Sequence, residues 1–251
     1  MDEVQKILDA AKALNADLRL LGSTAFRIHC PNCLYYLDSM RRELTDIDLV
    51  ALREERKKVK ELFKTLGYII DQKVLLETEG QRYCFYDTNK KINVDVFFDK
   101  LDYCHTIDLR ERLKLDYPTL TVSDLLLEKM QIVKINEKDI KDTIVLLLEH
   151  PIGNEDKEAV NRRYICNLLS KDWGFYYTFT SNLKKVKQML GTPGYAANMN
   201  IDELSALQAK IDGLLQDIEH EPKSIGWRLR AKIGTSKQWY REVELEKRTA
   251  F

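Results

Sequence analysis

Thr45-Asp46-Ile47-Asp48-Leu49-Val50-Ala51-Leu52 alternates polar with apolar residues and then runs apolar, the pattern of a strand with one core face. Side chains at i and i+2 of a strand share a face, so Asp46 and Asp48 project together, with Cα atoms roughly 6.5–7 Å apart. Ile47 points the other way, into the core. A second strand, Asn93-Val94-Asp95-Val96-Phe97, carries one acid between apolar neighbours that face away from it. If the two strands are neighbours, three carboxylates converge. Hard oxygen ligands of this kind suit Mg²⁺ or Mn²⁺. Two such ions about 3.5–4 Å apart can activate an attacking hydroxyl and stabilise a leaving pyrophosphate. An Asp-x-Asp alone more often marks a solvated strand face. An acid inside an apolar strand, as at Asp95, is costly to bury without a partner.

Working outward, Val4, Ile7, Leu8, Ala11 and Leu14 recur at helical spacing, so 2–15 is expected to be an amphipathic helix. Leu18 to Leu21 reads as a short buried strand ending at Gly22, with a helix starting near Ser23. A strand that ends in Gly-Ser at a helix start presents free N–H groups and a hydroxyl, an arrangement that binds phosphate. The competing reading is an ordinary turn with Ser23 as N-cap. A loop is expected around Cys30-Pro31-Asn32-Cys33. Glu54 to Leu66 reads as a charged helix stopped by Gly67. Tyr68–Glu77, Arg82–Asp87 and Ile92–Phe98 read as antiparallel strands, separated by turns at Glu79-Gly80 and Asn89-Lys90. The stretch 103–120 reads as irregular or short-stranded.

From Thr121 the pattern turns helical. Thr121-Val122-Ser123-Asp124 resembles a capping box opening a helix to about Ile135. Asn136 is the expected cap of a helix over 137–149. His150-Pro151-Ile152-Gly153-Asn154 is the best linker candidate. Helices are expected over 155–170, 180–190, 201–219 and roughly 236–247. The fold class is therefore α/β (α+β): a small mixed-sheet domain over 1–150, then a helical C-terminal domain over 151–251.

The chain has 251 residues, enough to bury a sizeable core, with 44% apolar and 32% charged residues. Lys+Arg and Asp+Glu are both 40, so net charge selects no partner. No apolar run reaches about 18 residues and the N-terminus lacks the marks of a signal peptide, so no membrane association is expected. Five cysteines, an odd number in a chain that needs no staples, are what a reducing cytoplasm would hold.

Taken together, Leu21-Gly22-Ser23, Thr45-Asp46-Ile47-Asp48-Leu49 and Val94-Asp95-Val96 resemble the polymerase-β-type nucleotidyltransferase superfamily, in its order of motifs. Asp124-Leu125-Leu126-Leu127-Glu128-Lys129-Met130 and Glu137-Lys138-Asp139-Ile140-Lys141-Asp142 look like the downstream motifs of abortive-infection toxins and related uncharacterised proteins. The resemblance covers roughly 18–150. It implies a small nucleotidyltransferase core in which Lys129 helps hold nucleotide phosphates and Asp142, or less closely Asp139, lies at the site. It further implies a nucleoside triphosphate such as ATP bound near Gly22, Ser23 and Lys129, with Asp46 and Asp48 holding two Mg²⁺ ions. Asp95 would bind the ion that acidifies the acceptor hydroxyl. Asp142 would position the acceptor or the metal shell. RNA, such as a tRNA end, is the favoured acceptor. A small antibiotic-type molecule and a non-catalytic nucleotide-binding module are the alternatives. An antitoxin-like protein partner follows from the toxin likeness. Two departures stand out: the gap from Ser23 to Asp46 is longer than usual, and Lys138 stands where the toxins carry Arg. On residue chemistry alone, Lys129 reads as solvated beside Glu128, and Asp142 as a partner of Lys138.

Other features read more plainly. Zinc at Cys30 and Cys33 would need further ligands from Cys84, Cys104, His29 or His105, without regular spacing, so apolar packing is favoured. Asp172-Trp173-Gly174-Phe175-Tyr176-Tyr177-Thr178-Phe179 is expected to pack the helical part onto the sheet domain, with base stacking as the alternative. Lys223, Arg228, Arg230, Lys232, Lys237 and Arg241 are interleaved with Trp227, Trp239 and Tyr240. They could grip phosphates, but an ordinary charged face is favoured.

Overall fold

The apolar runs become strands β1 (Leu18–Leu21), β2 (Ile47–Ala51), β3 (Ile69–Ile70), β4 (Arg82–Asp87) and β5 (Ile92–Phe98) of one mixed sheet, ordered β1-β2-β5-β4-β3. The structure, a computed structural model, describes residues 2–39, 46–192, 194–196 and 199–243, the side chains of 37–39 excepted. β2 and β5 run parallel at the centre, and the other pairings are antiparallel. The period-two pattern divides the sheet. Leu49, Val94, Val96 and Phe98 are fully buried on one face, where Phe63 stacks on Phe85 at 4.2 Å between ring centroids. Each such side chain contributes roughly 1.5–3 kcal/mol. Asp48 and Asp95 project from the opposite face.

Helices α1 (Asp2–Ala13), α2 (Gly22–His29), α3 (Leu34–Ser39), α4 (Arg56–Thr65) and α5 (Gln72–Glu77) lie within the first part of the chain. Two small pairs follow, β6 (Lys100–Asp102) with β7 (Thr106–Asp108), and β8 (Ile152–Gly153) with β9 (Val160–Asn161). Between and after them come α6 (Val122–Met130), α7 (Glu137–Glu149), α8 (Arg162–Leu169), α9 (Trp173–Met189), α10 (Ile201–His220) and α11 (Ile225–Ile233). Mixed α/β with C-terminal helices is thus the architecture. One apolar core runs from Val4 to Ile218 across residue 150.

Several elements depart from the sequence reading. Tyr68–Glu77 is not a strand throughout: after Ile70 the Asp71 carboxylate accepts from the N–H groups of Lys73 and Val74 and starts α5. The helix opened by Thr121 stops at Met130, short of Ile135. Thr121 does accept from the Asp124 N–H, but the Asp124 side chain pairs with Arg112 instead of completing a capping box. His150 is buried rather than a solvated linker, and the residues after it form β8. Residues 155–161 are not helical, and the aromatic run lies inside one long helix, α9. Among the described residues the last α-helix is Ile225–Ile233, and 237–243 is not helical; the rest of the expected 236–247 helix lies outside the described residues. Gly234, at φ +59°, ends α11 early. No helix among the described residues is long and apolar enough to cross a membrane.

The aromatic run does join the two parts of the chain. Phe175 stacks on His105 with centroids 4.9 Å apart, and His105 Nε2 lies 2.9 Å from Thr178 Oγ1. Burial pushes the His105 pKa down to about 4, with Asp172 opposing and Arg241 assisting. A folded value below the unfolded 6.5 means the fold holds neutral imidazole. That stability is present above pH 6.5 and is lost as pH falls through about 4. His105→Phe keeps the stack. It is expected to flatten the fall in melting temperature across that window, as read by thermal denaturation at a series of pH values.

Candidate functional site

Asp48 and Asp95 are register partners on β2 and β5, so their side chains stand side by side on one face. Asp48 is also the register partner of Leu21, which brings the β1–α2 turn against it. Gly22 occupies that turn at φ +62°, and a Cβ there would overlap the Asp48 carboxylate. Only glycine tolerates both conditions. Gly22→Ala is expected to cost at least about 2 kcal/mol through strain and displacement of Asp48. Thermal denaturation would read that loss, and an unchanged melting temperature would contradict the close approach.

Burial raises the Asp48 pKa to about 7, with Asp95 and Glu128 adding to the rise, Lys129 opposing it and Asp46 contributing last. Two carboxylates set side by side on parallel strands resist ionising together. Asp95 is 2% exposed and takes a two-point ion pair from Arg82, with Nε at 3.3 Å and Nη2 at 3.1 Å. Cys84, its register partner on β4, donates to Asp95 Oδ1 as well. Asp46 lies just before β2, partly exposed. Among the described residues, Asp46, Asp48 and Asp95 do not form a set of three with ligand atoms all within 4.8 Å of one another. The structure therefore brings Asp48 and Asp95 together directly and leaves Asp46 at the edge.

The helical residues close over this face. Lys129 is 8% exposed, not solvated. Its Nζ lies 3.0 Å from Glu128 Oε1, 3.5 Å from Asp139 Oδ1 and 3.7 Å from Asp142 Oδ2. Burial alone would lower the Lys129 pKa. Glu128, Asp142 and Asp139 outweigh it and hold the ammonium charged, above its ordinary range. Asp142, fully buried, thus faces Lys129. Asp139 faces Lys129 as well, and its N–H donates to Asn136 Oδ1, the cap of α7.

The Gly22 N–H, expected from the Gly-Ser turn to be free for phosphate, instead donates to Glu128 Oε2 at 3.0 Å. Ser23 lies inside the first turn of α2 rather than at its cap, and no side-chain cap stands at Leu21. Glu128 and Arg82 are the residues that sequence reasoning missed. Glu128 carried a signal, since it adjoins Lys129 in the quoted motif. Arg82 carried one only through the register of β4.

The chain matches no family model, no curated protein and no solved structure. A cleft of about 380 Å³ lined by Leu8, Lys12, Asn15, Asp17, Leu18 and Tyr117 contains none of these site residues. Cys30 is buried, and burial with nearby Glu149 raises its thiol pKa well above the ordinary value. Cys33 is pushed up to about 12 by burial and a hydrogen bond to Glu149. Protonated thiols in such surroundings pack as small apolar groups and are poor metal ligands. Three of the six basic residues of the tail are engaged internally, and Arg228, Lys232 and Lys237 are exposed. Lys223 caps the carbonyls of Ile218, Glu219 and Glu221, and Arg230 holds those of Gly234 and Lys237. Arg241 pairs with Asp102 on the small hairpin.

Proposed function

We propose that the chain is a metal-dependent nucleotidyltransferase that moves an NMP from a nucleoside triphosphate to an acceptor hydroxyl and releases pyrophosphate. The observation that carries this reading is the pairing of Asp48 with Asp95 on neighbouring parallel strands, against a glycine turn that opens a helix. Two carboxylates so placed resist ionising together, and a divalent cation relieves that conflict. The order of motifs in the sequence, similar to the polymerase-β-type superfamily, supports the same reading.

In this reading Asp48 and Asp95 would be the primary Mg²⁺ ligands, and Asp46 would complete the set. Mg²⁺ supplies charge stabilisation at the transferring phosphoryl group and an acidified acceptor hydroxyl. Lys129 reaches the triphosphate by exchanging one of its carboxylate partners for phosphate oxygen. Glu128, released from it, stays on the Gly22 N–H and holds the turn. Arg82 neutralises Asp95 until the metal arrives. RNA remains the favoured acceptor, on the toxin likeness of the 124–142 motifs.

The test is direct. Purified protein is incubated with Mg²⁺, α-labelled nucleoside triphosphates and total cellular RNA. Label should enter RNA in the wild type and not in the Asp48→Ala or Asp95→Ala variants. Label in a small-molecule fraction would move the acceptor to the antibiotic-type class. Magnesium-dependent nucleotide binding without any transfer would favour a binding module, and label that survives both substitutions would sink the assignment.

A further inference from the structure

Away from the sheet acids, the C-terminal ends of α2 and α7 meet at two histidines. His29 is the last residue of α2 and His150 caps α7; they are 6% and 3% exposed. His29 Nε2 lies 3.0 Å from the Leu120 carbonyl and 2.7 Å from Thr119 Oγ1. His150 Nε2 lies 3.0 Å from the His29 carbonyl. A carbonyl can only accept, so His29 carries a proton on Nε2, and its Nδ1 is the nitrogen left for another partner. His150 faces a carbonyl from each nitrogen, the His29 carbonyl at 3.0 Å from Nε2 and the Glu158 carbonyl at 3.1 Å from Nδ1.

The Nδ1 atoms of both rings are aimed at oxygens of one residue. His29 Nδ1 faces Glu158 Oε1 at 3.4 Å, and His150 Nδ1 faces Glu158 Oε2 at 3.6 Å and the Glu158 carbonyl at 3.1 Å. A proton on Nδ1 or a shared cation makes such a contact attractive, and a cation would serve both rings and the carboxylate at once. Glu158 is held at φ +47°, a conformation uncommon outside glycine, and in it both of its oxygen groups turn toward the rings. Ligand atoms around a tetrahedral ion at about 2.0–2.1 Å are about 3.3 Å apart, close to the spacings here. The three donors all lie within 4.8 Å of one another. Among the described residues this is the one group of three His, Cys, Asp or Glu side chains that meets that spacing.

The surroundings favour a cation too. Two helix C-termini, each the negative end of its dipole, converge on the pair. With a cation on the Nδ1 atoms, both imidazoles would donate their second N–H to a backbone carbonyl, the outer-shell contact that orients metal-ligating histidines. The Glu158 side chain is 58% exposed, which leaves an entry path and a coordination position for water.

We propose that His29, His150 and Glu158 form a binding site for a transition-metal dication of the zinc class. Two imidazoles and one carboxylate are a donor set for such ions rather than for Mg²⁺, which prefers oxygen. The ion would clamp the end of α2 to the end of α7 and to the loop before β9. Because α2 begins at Gly22, the clamp would also steady the turn against Asp48. The site is independent of the sheet acids and of the activity proposed for them.

Chelator-stripped full-length protein carrying Asp48→Asn, which disables the sheet acids, is titrated with Zn²⁺ alone by calorimetry and with Co²⁺ alone by visible spectroscopy. One equivalent is expected, with a Co²⁺ spectrum of nitrogen and oxygen ligands at low coordination number. Glu158→Gln, at an exposed side chain that the fold tolerates, is expected to weaken Zn²⁺ at least 10-fold, and His150→Ala more. No Zn²⁺ binding would overturn the proposal. Affinity unchanged in Glu158→Gln would do the same, and so would thiolate charge-transfer bands, which would put the ion on Cys30 or Cys33.

Discussion

Asp48→Asn is expected to raise the melting temperature of the metal-free protein while it lowers nucleotidyl transfer by about 10³-fold or more, opposite signs that an ordinary surface acid would not give. Burial, Asp95 and Glu128 raise the folded pKa of Asp48 from 3.8 to about 7. A group raised in this way contributes stability that is complete below pH 3.8 and lost as pH climbs through 7. At pH 8 the folded chain carries the full cost of that ionised carboxylate, on the order of a few kcal/mol. The amide fills the same space without the charge. In a chain of this size the gain corresponds to roughly 2–4 °C per kcal/mol. Divalent cation should reverse the order. Mg²⁺, bound as proposed, would hold Asp48 ionised beside Asp95, so it should stabilise the wild type, more at pH 8 than at pH 6, and leave the variant where it was. Melting curves with and without Mg²⁺ at the two pH values, beside the labelling assay, check all of this. A variant less stable than the wild type without metal would mean that Asp48 holds a structural ion pair.

How far the sequence led can be judged from the two strands that frame this pair. β4 and β5 lie where alternation placed them, and Asn136 caps α7 as expected, because these signals are local. β2 was legible for the same reason, but the adjacency of Asp48 and Asp95 was only a condition in the sequence, met by the pairing of β2 with β5. The failures are also physical. Glu128 was read as a mere neighbour of Lys129, yet it holds the Gly22 N–H across 106 residues of chain, a contact that no spacing encodes. Arg82 reaches Asp95 only because β4 pairs with β5 in a register set by the turn between them. Tyr68–Glu77 read as a strand from its apolar content, but Asp71 as N-cap decided the outcome after two residues. His150 looked like the head of a linker because proline and glycine follow it. Its burial depends on α2 ending beside α7, which is tertiary information.

The largest stability effect is expected from Lys129→Met. The ammonium lies within 3.7 Å of carboxylate oxygens of Glu128, Asp139 and Asp142, whose side chains are 9%, 13% and 1% exposed. Methionine reproduces the length of the stem and its packing near Phe26, so the substitution isolates the charge. Removing one member of a buried ionic cluster costs about 3–5 kcal/mol, chiefly because the remaining charges lose their counterion. A fall in melting temperature of roughly 10 °C is therefore expected near neutral pH. Lys129→Arg restores the charge and should recover most of the stability, yet its planar guanidinium is a different donor for triphosphate oxygens than a compact ammonium. Stability recovered without transfer activity in that variant would assign Lys129 a part in holding the nucleotide. Recovery of both would reduce it to a counterion, and a loss below about 1 kcal/mol in Lys129→Met would mean that the cluster is solvated after all.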